Sequence, residues 1–182
     1  MDIKKLIALG VALVSVVLCI VLLRQNLLFA AVAAVVCILA VIVSYKDAVS
    51  MIIPDKYQIM LGACGVAAVF ADAYCDWLSH ILGAAFGFAL FGLVAFVGGR
   101  IAGREALGGG DVKLALVSGL ILGWQRLLLM LIIASVIGSI VMLIRRKKGI
   151  IETPFAPFLS LGLITALLVG DKIITAYISL FV

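Results

Sequence analysis

The chain has 182 residues, 66% of them hydrophobic and 13% charged, with a mean hydropathy of +1.40. Soluble domains are roughly half apolar and a quarter charged, so this composition excludes one and indicates an integral membrane protein. The formal net charge of +5 would point to nucleic acid in a soluble chain; here it reports membrane topology instead.

Met1-Asp-Ile-Lys-Lys5 followed by an apolar run has the outline of a secretory signal peptide. The run from Leu6 to Leu23 is 18 residues long, however, and Arg24-Gln-Asn26 is no small-residue cleavage site. It reads as a retained first span, paired in a helical hairpin with Leu27 to Tyr45. The stretch Tyr45 to Lys56 then breaks the pattern. Pro54 has no backbone donor and biases Ile53 toward an extended conformation, which marks a helix boundary. Asp47 stands at the end of the second span, either as an interfacial acid paired with Lys46 or a neighbour, or as a functional group. The third run is Tyr57 to Ala71. The fourth, Leu78 to Val97, carries Gly83, Gly87 and Gly92 among alanines, a spacing that lets helices approach closely in lipid. His80, the only histidine, falls near the outer end of this run and reads as interfacial rather than as a ligand.

A basic loop leads to Gly108-Gly-Gly-Asp111 and the fifth run, Leu114 to Trp124. An acid at the edge of a bilayer is costly and by default functional. Glycines without Cβ atoms suit a loop whose backbone approaches another chain. The alternative is a flexible loop ending in an Asp that caps the next helix. From Asp111 to Trp124 a helix would extend only about 21 Å at 1.5 Å per residue, short of a hydrocarbon core of roughly 30 Å. Leu127 to Ile144 follows and ends in Arg145-Arg-Lys-Lys148. Thr153-Pro-Phe-Ala-Pro-Phe-Leu159 opens the last bundle helix, Gly170-Asp-Lys172 is expected to end or kink it, and Ile173 to Val182 is a tail.

Lipid cannot satisfy free backbone groups, and continuous apolar runs exclude the alternation of a barrel. The expected fold is therefore all-α, a polytopic transmembrane helical bundle of six to eight spans. It forms one domain over 1–182, with an N-terminal hairpin at 1–45, the bundle carrying the acids at 46–169 and a tail at 170–182. If each run crosses once, one side receives 11 of the 14 Lys and Arg residues and the other receives Arg24, Arg126 and Lys172. The positive-inside rule makes the first side cytoplasmic, and with it the N-terminus, Asp47 and Asp111. Four cysteines without a C-x-x-C spacing read as small hydrophobes, so neither a metal, a disulfide nor another cofactor is expected.

Two interfacial acids on one side fit a definite chemistry. Two carboxylates about 3 Å apart cannot both ionise, so one keeps a proton to polarise a scissile carbonyl while the other activates water. Their titration would belong to the pair.

Gly108-Gly-Gly-Asp111 with Val112-Lys-Leu114, Asp47 with Pro54-Asp55 seven residues on, and Pro154-Phe-Ala-Pro-Phe158 occur in that order. In these motifs the chain resembles the type IV prepilin peptidases, a family of GxGD aspartyl membrane proteases. The resemblance implies removal of a short, positively charged leader from prepilins or pseudopilins at the cytoplasmic face of the cell membrane. It makes Asp47 and Asp111 the catalytic pair, with Pro54, Gly108, Gly110, Lys113, Pro154, Phe155 and Pro157 binding substrate or shaping loops. Larger members also N-methylate the new terminus and carry a zinc-binding segment with paired C-x-x-C motifs. Here only Arg24-Gln-Asn26 separates the first two runs, so the chain resembles the short, peptidase-only members. A proton- or cation-coupled transporter and a non-catalytic pilus-assembly protein are the competing readings; the first would place acids near mid-span and show inverted-repeat symmetry.

Overall fold

The computed structural model describes residues 3–24, 26–103, 107–147 and 153–180. Arg104 and Lys148, used above to orient the chain, lie outside them, as does the Lys4 side chain. Six helices follow in order: α1 (Ile3–Leu22), α2 (Leu27–Ser50), α3 (Asp55–Ala71), α4 (Trp77–Ala102), α5 (Gly109–Lys147) and α6 (Ala156–Ile178). All but the 17-residue α3 are long and apolar enough to cross a membrane, and no strand occurs among the described residues. Large apolar side chains such as Leu13, Phe70, Phe96 and Ile132 face outward, as they must where the solvent is hydrocarbon.

Polar residues set the helix ends. Asn26 caps α2 by accepting the Phe29 N–H (3.1 Å), and its amide donates to the Ala71 carbonyl at the far end of α3 (2.6 Å). One residue thus ties the start of the second helix to the end of the third. Pro54, extended at ψ 132°, immediately precedes α3, as its chemistry requires.

The 39-residue α5 is two antiparallel arms. Gly123 has φ 76° and ψ 170°, a conformation that interrupts the helix and that a residue without Cβ takes readily. Across it the chain turns back, and Gly87 shows how sharply. A Cβ added there would meet both Ala115 O (2.6 Å) and Leu127 Cδ2 (3.3 Å). In a straight helix those two residues would stand about 18 Å apart. The runs read in the sequence as separate fifth and sixth spans are these arms, joined at a single residue. Helix α4 seats against them through Gly83, whose added Cβ would lie 2.6 Å from Gly119 O, and through Gly87. Gly92, expected on the same face, meets nothing within 4 Å. Two of the three glycines therefore serve packing.

At the end of the bundle where α3, α6 and the two arms of α5 meet, Arg126 is fully buried between two acids. Its guanidinium donates to Asp72 (2.6 and 3.4 Å) and to Asp171 (2.6 and 2.8 Å), and it lies 5.6 Å from the Phe29 ring centre. This arrangement corrects the tail. Helix α6 runs through Gly170-Asp-Lys172 to Ile178 without a break, because Asp171 faces a cation rather than lipid. His80 is corrected too: it is fully buried, with Nδ1 2.9 Å from the Leu120 carbonyl oxygen, rather than interfacial. The α4–α5 packing that draws the outer end of α4 against the kink carries it inside.

Candidate active site

Asp47 occupies the last turn of α2, which ends when Met51 enters the left-handed region (φ 52°) and donates its N–H to the Asp47 carbonyl. Positive φ at a methionine is uncommon and turns the chain abruptly toward Ile53 and Pro54. The Asp47 carboxylate is buried and crosses to another helix: its Oδ2 accepts the N–H of Ala156, the first residue of α6 (3.0 Å). It therefore satisfies one of the unpaired donors at that helix start and sits at the positive end of the helix dipole. Pairing with Lys46, the bland expectation, is not what its carboxylate makes.

Asp111 stands in the first turn of α5, which begins at Gly109, so two of the three glycines expected in a loop are helical. The Asp111 N–H closes the turn onto Gly108 O (3.0 Å), and its side chain does not cap. Instead Oδ1 is buried without a hydrogen-bond partner, an unusual state for a carboxylate oxygen. Gly110 lets the first turn press onto Ile53, whose Cβ would lie 3.2 Å from an added Cβ. A side chain at position 110 would crowd Ile53 on the chain that leads out of Asp47.

These contacts bring the two acids to one place. Asp47 and Asp111 line a single cavity of about 200 Å³ together with Met51, Ile53, Asp55 and Gly108. At roughly 30 Å³ per liquid water, the space exceeds what one water needs. Lys113 pairs with Asp55 (2.7 Å) among exposed side chains on the same side of the bundle. Of the other positions singled out in the sequence, Pro54 starts α3 and Gly108 and Gly110 shape the turn. Phe155 packs on Phe91 and Phe158 (ring centres 6.3 and 6.2 Å) and against Gly138, while Pro157 lines an apolar groove beside α1 and α2. Neither these two nor Pro154 lines the acid cavity.

Gln58 is the site residue that sequence reasoning passed over. It is buried in the first turns of α3, and its amide donates to the Gly110 carbonyl (3.0 Å) across 52 residues of sequence. The available signal was a lone amide inside an apolar run, one turn after Pro54. Its Oε1 is buried without a partner.

Five helices long and apolar enough to cross a membrane, with two acids lining one end cavity, define a polytopic helical membrane protein. The sequence model of the type IV leader peptidase family matches residues 34–143, and the chain belongs to that family. Over 146 residues it is 34% identical to a prepilin leader peptidase/N-methyltransferase of Bacillus subtilis (strain 168), covering 78% of this chain and 57% of that protein. Proteins of the same name from Aeromonas salmonicida (strain A449) and Pseudomonas aeruginosa are 29% and 31% identical, over 76% and 74% of this chain and 49% and 48% of theirs. The chain thus spans about half the length of the curated relatives it matches. No solved structure matches it significantly.

Proposed function

We propose that this chain is a multi-pass aspartic endopeptidase of the cell membrane that removes the leader peptide from type IV prepilins or pseudopilins at the cytoplasmic face. The observation that carries the reading is the shared cavity: two acids from segments 64 residues apart converge there, and one presents a buried, unpartnered oxygen. Three of the residues lining that cavity, Asp47, Asp55 and Asp111, are acidic, which suits a positively charged leader. The excess of Lys and Arg at the same end supports the cytoplasmic assignment.

In the reaction, the acid holding the shared proton donates a hydrogen bond to the scissile carbonyl, and the ionised one takes a proton from water. The hydroxide so formed adds to the carbonyl carbon, giving a tetrahedral intermediate whose oxygen receives the shared proton. Collapse of the intermediate returns that proton to the first acid, breaks the C–N bond and sends the proton on the second acid to the leaving amine. Asp47, tied to the start of α6 by the Ala156 N–H, is the more rigidly held of the pair. Gln58 and Gly110 position the turn that presents Asp111. Neither metal nor cofactor has a part in these steps.

Purified protein in detergent, mixed with a prepilin, tests this reading. The wild type shortens the substrate, with the product mass giving the cleavage site, whereas folded Asp47→Asn and Asp111→Asn leave it intact. Wild-type protein that leaves a prepilin uncut would favour a transporter or a non-catalytic pilus-assembly role.

A further inference from the structure

At the end of the bundle opposite the acid cavity, the connection from α3 into α4 reads Asp72-Ala-Tyr-Cys-Asp-Trp-Leu-Ser-His80. One ligand atom from each of Asp72, Cys75 and His80 lies within 4.8 Å of the other two. Three atoms so placed share a point no more than about 2.8 Å from each, against metal–ligand bonds of roughly 2.0–2.3 Å for zinc, so a contraction of about half an ångström or slightly more brings all three to bonding distance and leaves a fourth position for water. Cys75 lies on the partly exposed connection, which is the part able to move.

The hydrogen bonding of His80 leaves one buried ring nitrogen open to a ligand. The Leu120 carbonyl can only accept, so Nδ1 must be the donor in the 2.9 Å bond between them. The kink at Gly123 makes that carbonyl available. In a straight helix it would pair with the Trp124 N–H, which is here turned toward Ser79 Oγ (3.4 Å). With Nδ1 as donor, Nε2 is the ring nitrogen left for another partner, and it faces Asp72 Oδ2 across 3.8 Å. Nε2 is buried and has no hydrogen-bond partner. The gap is too long for a hydrogen bond but fits two ligands of one ion. A ring whose second nitrogen donates to a backbone carbonyl is also the usual orientation of a metal-bound histidine.

Charge points the same way. Arg126 lies between Asp72 and the partly exposed Asp171, so its single positive charge is shared by two carboxylates. Arg126 occupies one lone pair of Asp72 Oδ2 and leaves the other for the metal, as outer-shell donors to ligating carboxylates do. We propose that Asp72, Cys75 and His80 bind a divalent transition ion of the zinc class, which clamps the α3–α4 connection onto the kink of α5. The mixed oxygen, sulfur and nitrogen set selects a borderline ion over calcium or magnesium. The clamp lies apart from Asp47 and Asp111 and takes no part in cleavage.

Full-length protein in detergent, stripped with chelator, reloaded with Zn2+ and desalted, is expected to retain one ion per chain. Loading with Co2+ instead should produce a thiolate-to-cobalt charge-transfer band. Cys75→Ala and His80→Asn should each weaken retention ten-fold or more and abolish the band, with gel filtration reporting the fold. If His80→Asn does not fold, Cys75→Ala decides alone. Three results would each overturn the site: no ion retained by the wild type, equal retention by a folded variant, or cobalt bound without the thiolate band. Prepilin cleavage is read separately, so failure of the metal site and failure of the peptidase reading are distinguishable.

Discussion

The two ends of this bundle each bring acids from distant segments together, and they do opposite things with them. At one end Asp72 and Asp171 close on the Arg126 guanidinium, with two hydrogen bonds to each carboxylate. At the other end Asp47 and Asp111 line a common cavity, where Asp47 takes one backbone N–H and Asp111 Oδ1 takes nothing. Burial of a charge is tolerated when it is paired and hydrogen-bonded, which makes the first arrangement a lock. An acid left short of partners next to another acid is a candidate for reaction. On the proposed function the same side chain is structural at one end and chemical at the other, and what differs is whether a cation stands between the pair.

Substitutions can break this comparison at either end. The largest effect is expected at the acid cavity, where removing a group that exchanges protons in the transition state costs about 10²–10⁴-fold in rate. Asp47→Asn and Asp111→Asn should each lose prepilin cleavage on that scale, in a peptide assay, while keeping the wild-type melting behaviour. The second largest is at the lock. Arg126→Met leaves two carboxylates without their cation and should destabilise the protein by about 3–5 kcal/mol, seen as a lower thermal midpoint in detergent. Replacing all three residues by apolar or neutral counterparts should recover much of that loss; if it does not, the network contributes more than mutual compensation. Arg126→Lys should fail to rescue, because an ammonium cannot serve two carboxylates in the fork geometry of a guanidinium.

Smaller effects sharpen the comparison. Gly83→Ala would set a Cβ against the Gly119 carbonyl and Gly123, backbone atoms that cannot swing aside, and should cost about 1–3 kcal/mol by the same melt. Gln58→Leu leaves the Gly110 carbonyl without its partner. A loss of about 1–3 kcal/mol is expected if that carbonyl stays dry, together with slower cleavage at little changed substrate affinity. Lys113→Ala removes an exposed ion pair with Asp55 and should change stability by less than about 1 kcal/mol, an effect that fades further in high salt.

The acid end was readable in the sequence because its signals are local. Pro54 stops one helix and starts another, three glycines precede Asp111, and alternation of the basic loops places both acids on one side. The locked end was not, because its partners lie 45 and 54 residues from Arg126 and look like ordinary loop charges. For the same reason Gly170-Asp-Lys172 read as a break. An acid inside an apolar run argues against a helix only until its cation is known. His80 was misplaced because nothing in its neighbourhood announces that α4 packs its outer end against the kink of α5. The reversal itself was half legible: the apolar runs divide near Trp124, but a turn made at Gly123 alone rests on a backbone conformation that sequence patterning does not encode.

The most direct test of the central claim is a kinetic comparison of Asp47→Asn, Asp111→Asn and the double variant with one prepilin. Residues that act as a unit are strongly non-additive, so the double should be no slower than either single, all three lying near the background rate. Wild-type cleavage by either single variant, or losses that multiply in the double, would contradict a shared carboxylate pair.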